Sequence, residues 1–309
     1  MSRVAANLVT GFLGAGKTTA ILHLLRHRPE GERWAVLVNE FGELGIDGAT
    51  LAEETGVVVR EVHGGCICCT GNVPMRVALT QLLRAARPHR LMVEPTGLGH
   101  AAAVYDTLTG AELSSAIALE SVICIVDPRQ AADPRIAASD AFRDQLSLAD
   151  VVVINKRDVA MPAELEIARV VASGLYPPRI VVETERGAID ASLLASPHAA
   201  DGRHAVEHAV GEQSWSVRFP RCAVFDRQRT GEFFERLNAA RGTEVPGLLR
   251  AKGIFRVGRD ALLADWAAGR AETRETAYRR DSRATFIVAA GAAPDWGALE
   301  AALRRALLR

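Results

Sequence analysis

Lysine is almost missing from this chain. Of 37 lysine and arginine residues, only Lys17, Lys156 and Lys252 are lysine. Where arginine is so strongly preferred, a lysine marks a place that needs a slim, mobile ammonium rather than a planar fork. Net charge is missing too, because 37 basic side chains balance 37 acidic ones. No global field recruits nucleic acid or an anionic membrane, so neither is an expected partner. No apolar run approaches the roughly 20 residues of a membrane span. The opening MSRVAANLVTG enters a strand at once and is read as leaving no room for a secretion signal. Cysteine is sparse, five in 309 residues, and three of the five lie too close together to pair with one another. That argues against a disulfide framework and for a reducing compartment, so the expected location is cytoplasmic.

What is present reads as two domains. The first half alternates short apolar runs with helical periodicity, the pattern of a mainly parallel α/β sheet. Strands are expected at 4–10, 34–39, 57–62, 90–94, 121–127, 151–155 and 179–182, with helices at 18–27, 74–86, 141–148 and 162–172. This predicts an α/β P-loop NTPase domain over residues 1–195. Residues 196–213 are polar and aperiodic and read as a linker. Residues 214–309 then suggest a smaller α+β domain on an antiparallel sheet. Its expected strands are 214–219, 248–257, 261–267, 271–279 and 284–289, with helices at 231–241 and 295–308.

The chemistry gathers after the strands, where ligands bind in open α/β sheets. GFLGAGKT satisfies G-x-x-x-x-G-K-[ST] between a strand and a helix. Gly11, Gly14, Ala15, Gly16, Lys17, Thr18 and Thr19 form the expected phosphate-binding set. Successive N–H groups would make an anion nest, and the helix N-terminus adds positive charge. Lys17 is expected on the β- and γ-phosphates, and the Thr18 hydroxyl on Mg²⁺. Glu94 opens E-P-T-G and would hold Mg²⁺ through water, with the Gly97 N–H offered to the γ-phosphate. Asp127, at the end of another strand, is the rival acid.

Asn155-Lys156-Arg157-Asp158 follows an apolar strand. A carboxylate at Asp158 can accept two hydrogen bonds from guanine, whereas adenine offers no such pair. Asn155 would bond the base edge and the Lys156 stem would cover its face, so GTP is favoured over ATP. The loop Asn39-Glu40-Phe41-Gly42-Glu43 follows the second strand and reads as a movable segment near Mg²⁺. Glu40 and Glu43 are candidates for partnering the attacking water. No glutamine occupies an obvious water-orienting position, so intrinsic hydrolysis is expected to be slow.

Cys66, Cys68 and Cys69 crowd three thiols into four residues between Gly64-Gly65 and Thr70-Gly71. All three reach one ion only if the chain turns, as the glycines allow. Thiolates select Zn²⁺ or similarly soft ions, with Co²⁺ also served. The fourth position is open to Glu40, His63, water or a client's side chain. Buried structural thiols or a Cys68–Cys69 redox pair are the competing readings. Cys124 and Cys222 read as core residues in apolar strands. His198, His204 and His208 would either scavenge metal or simply be solvated, and Lys252 is read as structural or interfacial.

Taken together, GFLGAGKTT, NEFGELGID, GGCICC, EPTG and NKRD resemble the CobW-type metal-chaperone GTPases, relatives of the nickel-enzyme maturation GTPases. LLRAKGIF and RRDSRATFIV resemble that family's smaller domain more loosely. The resemblance implies GTP hydrolysis coupled to delivery of zinc or cobalt to an apo-metalloprotein client. It also implies metal ligation by Cys66, Cys68 and Cys69, with Glu40 and Glu43 as nearby switch acids. A long histidine run found in many members is missing here, which puts storage in doubt and leaves transfer untouched. The alternative is a metal-sensing or buffering GTP-binding protein with little turnover. A small-molecule P-loop kinase is disfavoured by NKRD, and assembly into a homo-oligomer is left open.

Overall fold

A computed structural model describes residues 3–38, 57–61, 73–97, 101–177, 179–195, 213–220, 222–237, 245–278 and 280–308. The chain divides into two compact units, Met1–Gly202 and Arg203–Arg309. The first unit runs β1 (Val4–Gly11), α1 (Lys17–Arg26), β2 (Trp34–Val38), β3 (Val58–Glu61), α2 (Val73–Ala86), β4 (Arg90–Glu94) and α3 (Ala101–Leu108). It continues through β5 (Ile117–Val126), α4 (Pro128–Ala132), α5 (Pro134–Ala137), α6 (Asp140–Leu148), β6 (Val151–Ile154), α7 (Pro162–Ser173) and β7 (Ile180–Glu183). The strands lie in the order β3-β2-β4-β1-β5-β6-β7. Every neighbouring pair is parallel.

An apolar strand buried on both faces must feed two cores, and β5 and β6 do so with a period of two. Ile123, Ile125, Val151 and Val153 pack with Ile21, Leu24 and Leu25 of α1. Cys124, Val126, Val152 and Ile154 point the other way, onto Phe142 and Leu146 of α6 and Ala168 and Ala172 of α7. Each valine, isoleucine, leucine or phenylalanine among them contributes about 1.5–3 kcal/mol by leaving water. Parallel pairing also requires every strand to return by a crossover. Gly11, Val38, Glu61, Glu94, Val126, Ile154 and Glu183 therefore all end at one edge of the sheet.

The second unit contains β8 (Gln213–Phe219), α8 (Arg227–Arg236), β9 (Leu248–Arg256), β10 (Ala261–Ala267), β11 (Arg270–Thr276), β12 (Ser282–Val288) and α9 (Trp296–Arg304). Its sheet is antiparallel, in the order β11-β10-β9-β12-β8. Six of the chain's nine phenylalanines, Phe219, Phe225, Phe233, Phe234, Phe255 and Phe286, meet in one cluster with Leu299 and Leu303 of α9.

Several expectations need correction. The helix expected at 231–241 begins at Arg227, because the Asp226 carboxylate accepts the Arg229 N–H at 2.8 Å and caps it. The strand expected at 121–127 begins at Ile117, which pairs with Val4. Helices α3, α4 and α5 were not expected. Both α4 and α5 start on an Asp-Pro pair, with Asp127 and Asp133 as caps and proline inside the first turn. The closing helix stops at Arg304, and Leu307 instead bridges to Phe225. Cys222 is not a core strand residue: it is exposed in a turn after β8. Most of the expected linker, and the end of the 231–241 segment, lie outside the described residues.

Candidate nucleotide site and its braces

The loop between β1 and α1 sits at the carboxyl edge of the sheet, where β1 runs between β4 and β5. Gly16 adopts φ +102°, and a Cβ there would lie 2.4 Å from the Asn155 amide nitrogen. Only glycine fits both the angle and the space. Lys17 is buried at the start of α1, and its ammonium donates to the Phe12 carbonyl at 3.3 Å, curling back over the loop. The Thr18 hydroxyl donates to both oxygens of Glu94, at 3.0 and 3.3 Å. Glu94 ends β4 and is buried. Hard oxygens from Thr18 and Glu94 at one point fit the donor set that Mg²⁺ prefers.

Asp127 has a different occupation. Its carboxylate caps α4, receives the Arg129 guanidinium at 2.6 Å and faces the Lys156 ammonium at 3.3 Å. Burial pushes its pKa upward, but the Arg129 hydrogen bonds and the Lys156 charge outweigh that and hold it below the usual aspartate value. Of the two rival acids, Glu94 is the one beside Thr18.

Gly97 presses on the phosphate loop from the other side. A Cβ on it would stand 2.7 Å from the Leu13 nitrogen and 2.9 Å from its Cα. The Gly97 carbonyl accepts from Nε2 of Gln145, on α6, at 2.9 Å. The Leu13 carbonyl accepts from Nε2 of Gln130, on α4, at 2.6 Å. Oε1 of both glutamines is buried and meets no donor among the described residues. Neither glutamine was expected from the sequence.

Asn155 is fully buried past the end of β6. Its amide donates to the Ala15 carbonyl at 3.0 Å and accepts the Gly187 N–H at 3.0 Å. It straps the phosphate loop to the turn after β7. Lys156 takes a left-handed conformation, φ 58°, and its ammonium bonds the Gly14 carbonyl. Asp158 lies exposed in the turn Arg157–Val159. The turn at residues 184–188 was not read from the sequence, yet it closes on the same site. Its Gly187 approaches so near that a Cβ would lie 2.7 Å from the Ala20 nitrogen, and the Thr184 carbonyl accepts the Arg157 N–H.

The thiols divide sharply. Cys124 is buried in β5, and burial pushes its thiol up to about 12 despite the opposing Lys17 charge. It is a core residue, as expected, and a poor ligand. Glu40, Glu43, His63, Cys66, Cys68, Cys69 and the three linker histidines lie outside the described residues. Among the described residues, no group of three or more His, Cys, Asp or Glu side chains could hold a metal ion. Also among them, no helix is long and apolar enough to cross a membrane.

Comparison with known proteins agrees with this architecture. Residues 5–179 match the CobW/HypB/UreG nucleotide-binding domain, and residues 213–307 match the C-terminal domain of the cobalamin synthesis protein CobW. The zinc chaperone YeiR of Escherichia coli (strain K12) is 36% identical over 322 aligned positions, covering 96% of each chain. The zinc chaperone CobW of Sinorhizobium sp is 30% identical, covering 68% of this chain and 70% of its own. The crystal structure of the Zn(II)-bound YjiA GTPase from E. coli covers 99% of both chains at 23% identity and a TM-score of 0.52, a likeness of fold. Two matched domains in the expected order, and a relative aligned almost end to end, make this chain a member of the CobW/HypB/UreG family.

Proposed function

We propose that the protein is a GTP-hydrolysing metallochaperone that takes a transition metal, zinc or cobalt, at Cys66, Cys68 and Cys69 and passes it to an apo-metalloprotein client. The observation that carries the nucleotide half is the meeting of Thr18 and Glu94 beside a phosphate loop strapped by Asn155. Lys17 and the loop N–H groups would bind the β- and γ-phosphates, and the Gly97 N–H would orient the γ-phosphate. Asp158 would read guanine. Thr18, directly, and Glu94, through water, would hold Mg²⁺, which supplies charge neutralisation of the phosphates when bound.

Chain connectivity supports the metal half. Glu40 follows Val38 by two residues, and Val38 pairs directly with Glu94. Two residues span at most about 7 Å. Cys66 follows Glu61, the end of β3, by five residues, or at most about 18 Å of chain. Both segments thus leave the sheet at the edge that holds the phosphate loop. The names of two relatives, both zinc chaperones, support the cargo.

Energetics constrain the transfer. Thiolate zinc sites bind with about 10–16 kcal/mol, whereas coupling between two sites is typically about 1–3 kcal/mol. Hydrolysis therefore loosens the site for capture by a client's competing ligands and does not empty it into solution. The test is phosphate release from GTP with and without Zn²⁺ or Co²⁺, alongside metal affinity in the GTP-analogue and GDP states. Metal-responsive turnover and unequal affinities are expected. Negligible turnover would favour a buffering protein, and equal affinities would end the coupling.

A further inference from the structure

We infer that Gln145 is a positioning residue for GTP hydrolysis, acting through the Gly97 peptide, an inference that rests on the GTPase reading above. Gln145 sits in the middle of α6, outside every nucleotide motif, and is 1% exposed. Its Nε2 donates to the Gly97 carbonyl at 2.9 Å. Its Oε1 is buried with no donor among the described residues. A residue kept only for packing would do better as methionine or leucine, which have similar bulk and no stranded acceptor. The amide is kept for its donor, which the Gly97 carbonyl takes.

A second observation comes from the other partner. Gly97 lies against Leu13 too closely for any side chain. The Leu13 carbonyl is itself held by Gln130, whose Oε1 is stranded in the same way. Two helix-borne amides therefore grip the Gly97–Leu13 contact, one on each residue, and each has an acceptor to spare.

The N–H and carbonyl of Gly97 belong to two peptides joined by the soft torsions of a residue without a side chain. Close contact with Leu13 on one side and the anchored carbonyl on the other together restrain those torsions, and so limit how the N–H can face the γ-phosphate.

The test uses the full-length protein with Gln145→Met. We expect kcat for GTP to fall about 10²-fold, the loss expected when a reacting group is held about 1 Å out of place. KM and GDP affinity should stay near wild type, and so should the melting midpoint, because losing the donor to Gly97 offsets removing the buried Oε1. Wild-type kcat and an unaltered GTP-over-GDP preference in that variant would overturn the inference. Should the methionine variant misfold, Gln145→Glu provides a pH readout. As a carboxylate it has no donor, and protonation restores one, so its turnover relative to wild type should climb as pH falls. A flat ratio would overturn the inference. A wild-type protein that neither binds GTP nor releases phosphate would overturn the GTPase reading together with this one. An active wild type with an indifferent methionine variant would overturn this one alone.

Discussion

Thr18 and Glu94 are 76 residues apart in sequence, yet the hydroxyl of one donates to both carboxylate oxygens of the other, at 3.0 and 3.3 Å. The contact joins the first turn of α1 to the last residue of β4. It exists because β4 lies beside β1 in register, Val93 against Leu8. In Glu94→Gln the shape survives and the charge does not. Turnover of GTP should fall roughly 10²-fold, with a higher Mg²⁺ requirement. Phosphate release measured across a Mg²⁺ titration checks this.

Gly97→Ala tests the crowding at Leu13. The added methyl would lie within 2.9 Å of backbone atoms that have no flexible end to yield. Overpacking of this kind costs about 1–3 kcal/mol. Turnover should drop with it, because the segment must move away from the loop. Thermal melts and single-turnover hydrolysis on the same sample report the two effects.

Asp158→Asn replaces a pure acceptor with a group that both donates and accepts. Preference should pass from guanine to xanthine nucleotides, as competition binding of GTP and XTP would record. Retained GTP selectivity would remove Asp158 from base reading.

Acid should unfold the first unit partly through Asp127. Its folded pKa lies below the ordinary aspartate value. The stabilising contribution is therefore complete above about pH 4 and is lost as pH falls through the depressed folded value. Arg129→Met weakens the pairing, so the variant should lose less stability on acidification than wild type. Urea midpoints at pH 7 and pH 3 give the comparison.

Cys66→Ser and Cys69→Ser should each weaken zinc and cobalt binding while leaving nucleotide affinity within a few-fold. Metal competition titrations in both nucleotide states would show it. Undiminished stoichiometry would clear those thiols.

Local signals carried much of this molecule. GFLGAGKT, EPTG and NKRD are short and contiguous, and each follows an apolar strand, so the phosphate loop and its partners at Glu94 and Gly97 could be read from adjacent residues. The aromatic α+β unit was visible through its alternating strands. What escaped was long in range or short in length. Gln145 and Gln130 look like ordinary helical polar residues, and only the fold reveals that they reach Gly97 and Leu13. The amide of Asn155 could be assigned to a base from its motif, but its commitment to Ala15 and Gly187 needs β6 and β7 side by side. Helices α4 and α5 have too few turns to show a period, although each Asp-Pro start was a legible cap.

The place of β1 at the middle of seven strands has a further consequence. Ala5, Ala6 and Leu8 can exchange their amide hydrogens only when the sheet separates, because they pair with β4 on one side and β5 on the other. The loop that grips the phosphates is thus tethered to some of the slowest-opening backbone in the molecule. Spent nucleotide must leave by motions of side chains and of the turns around it, with its mooring still folded.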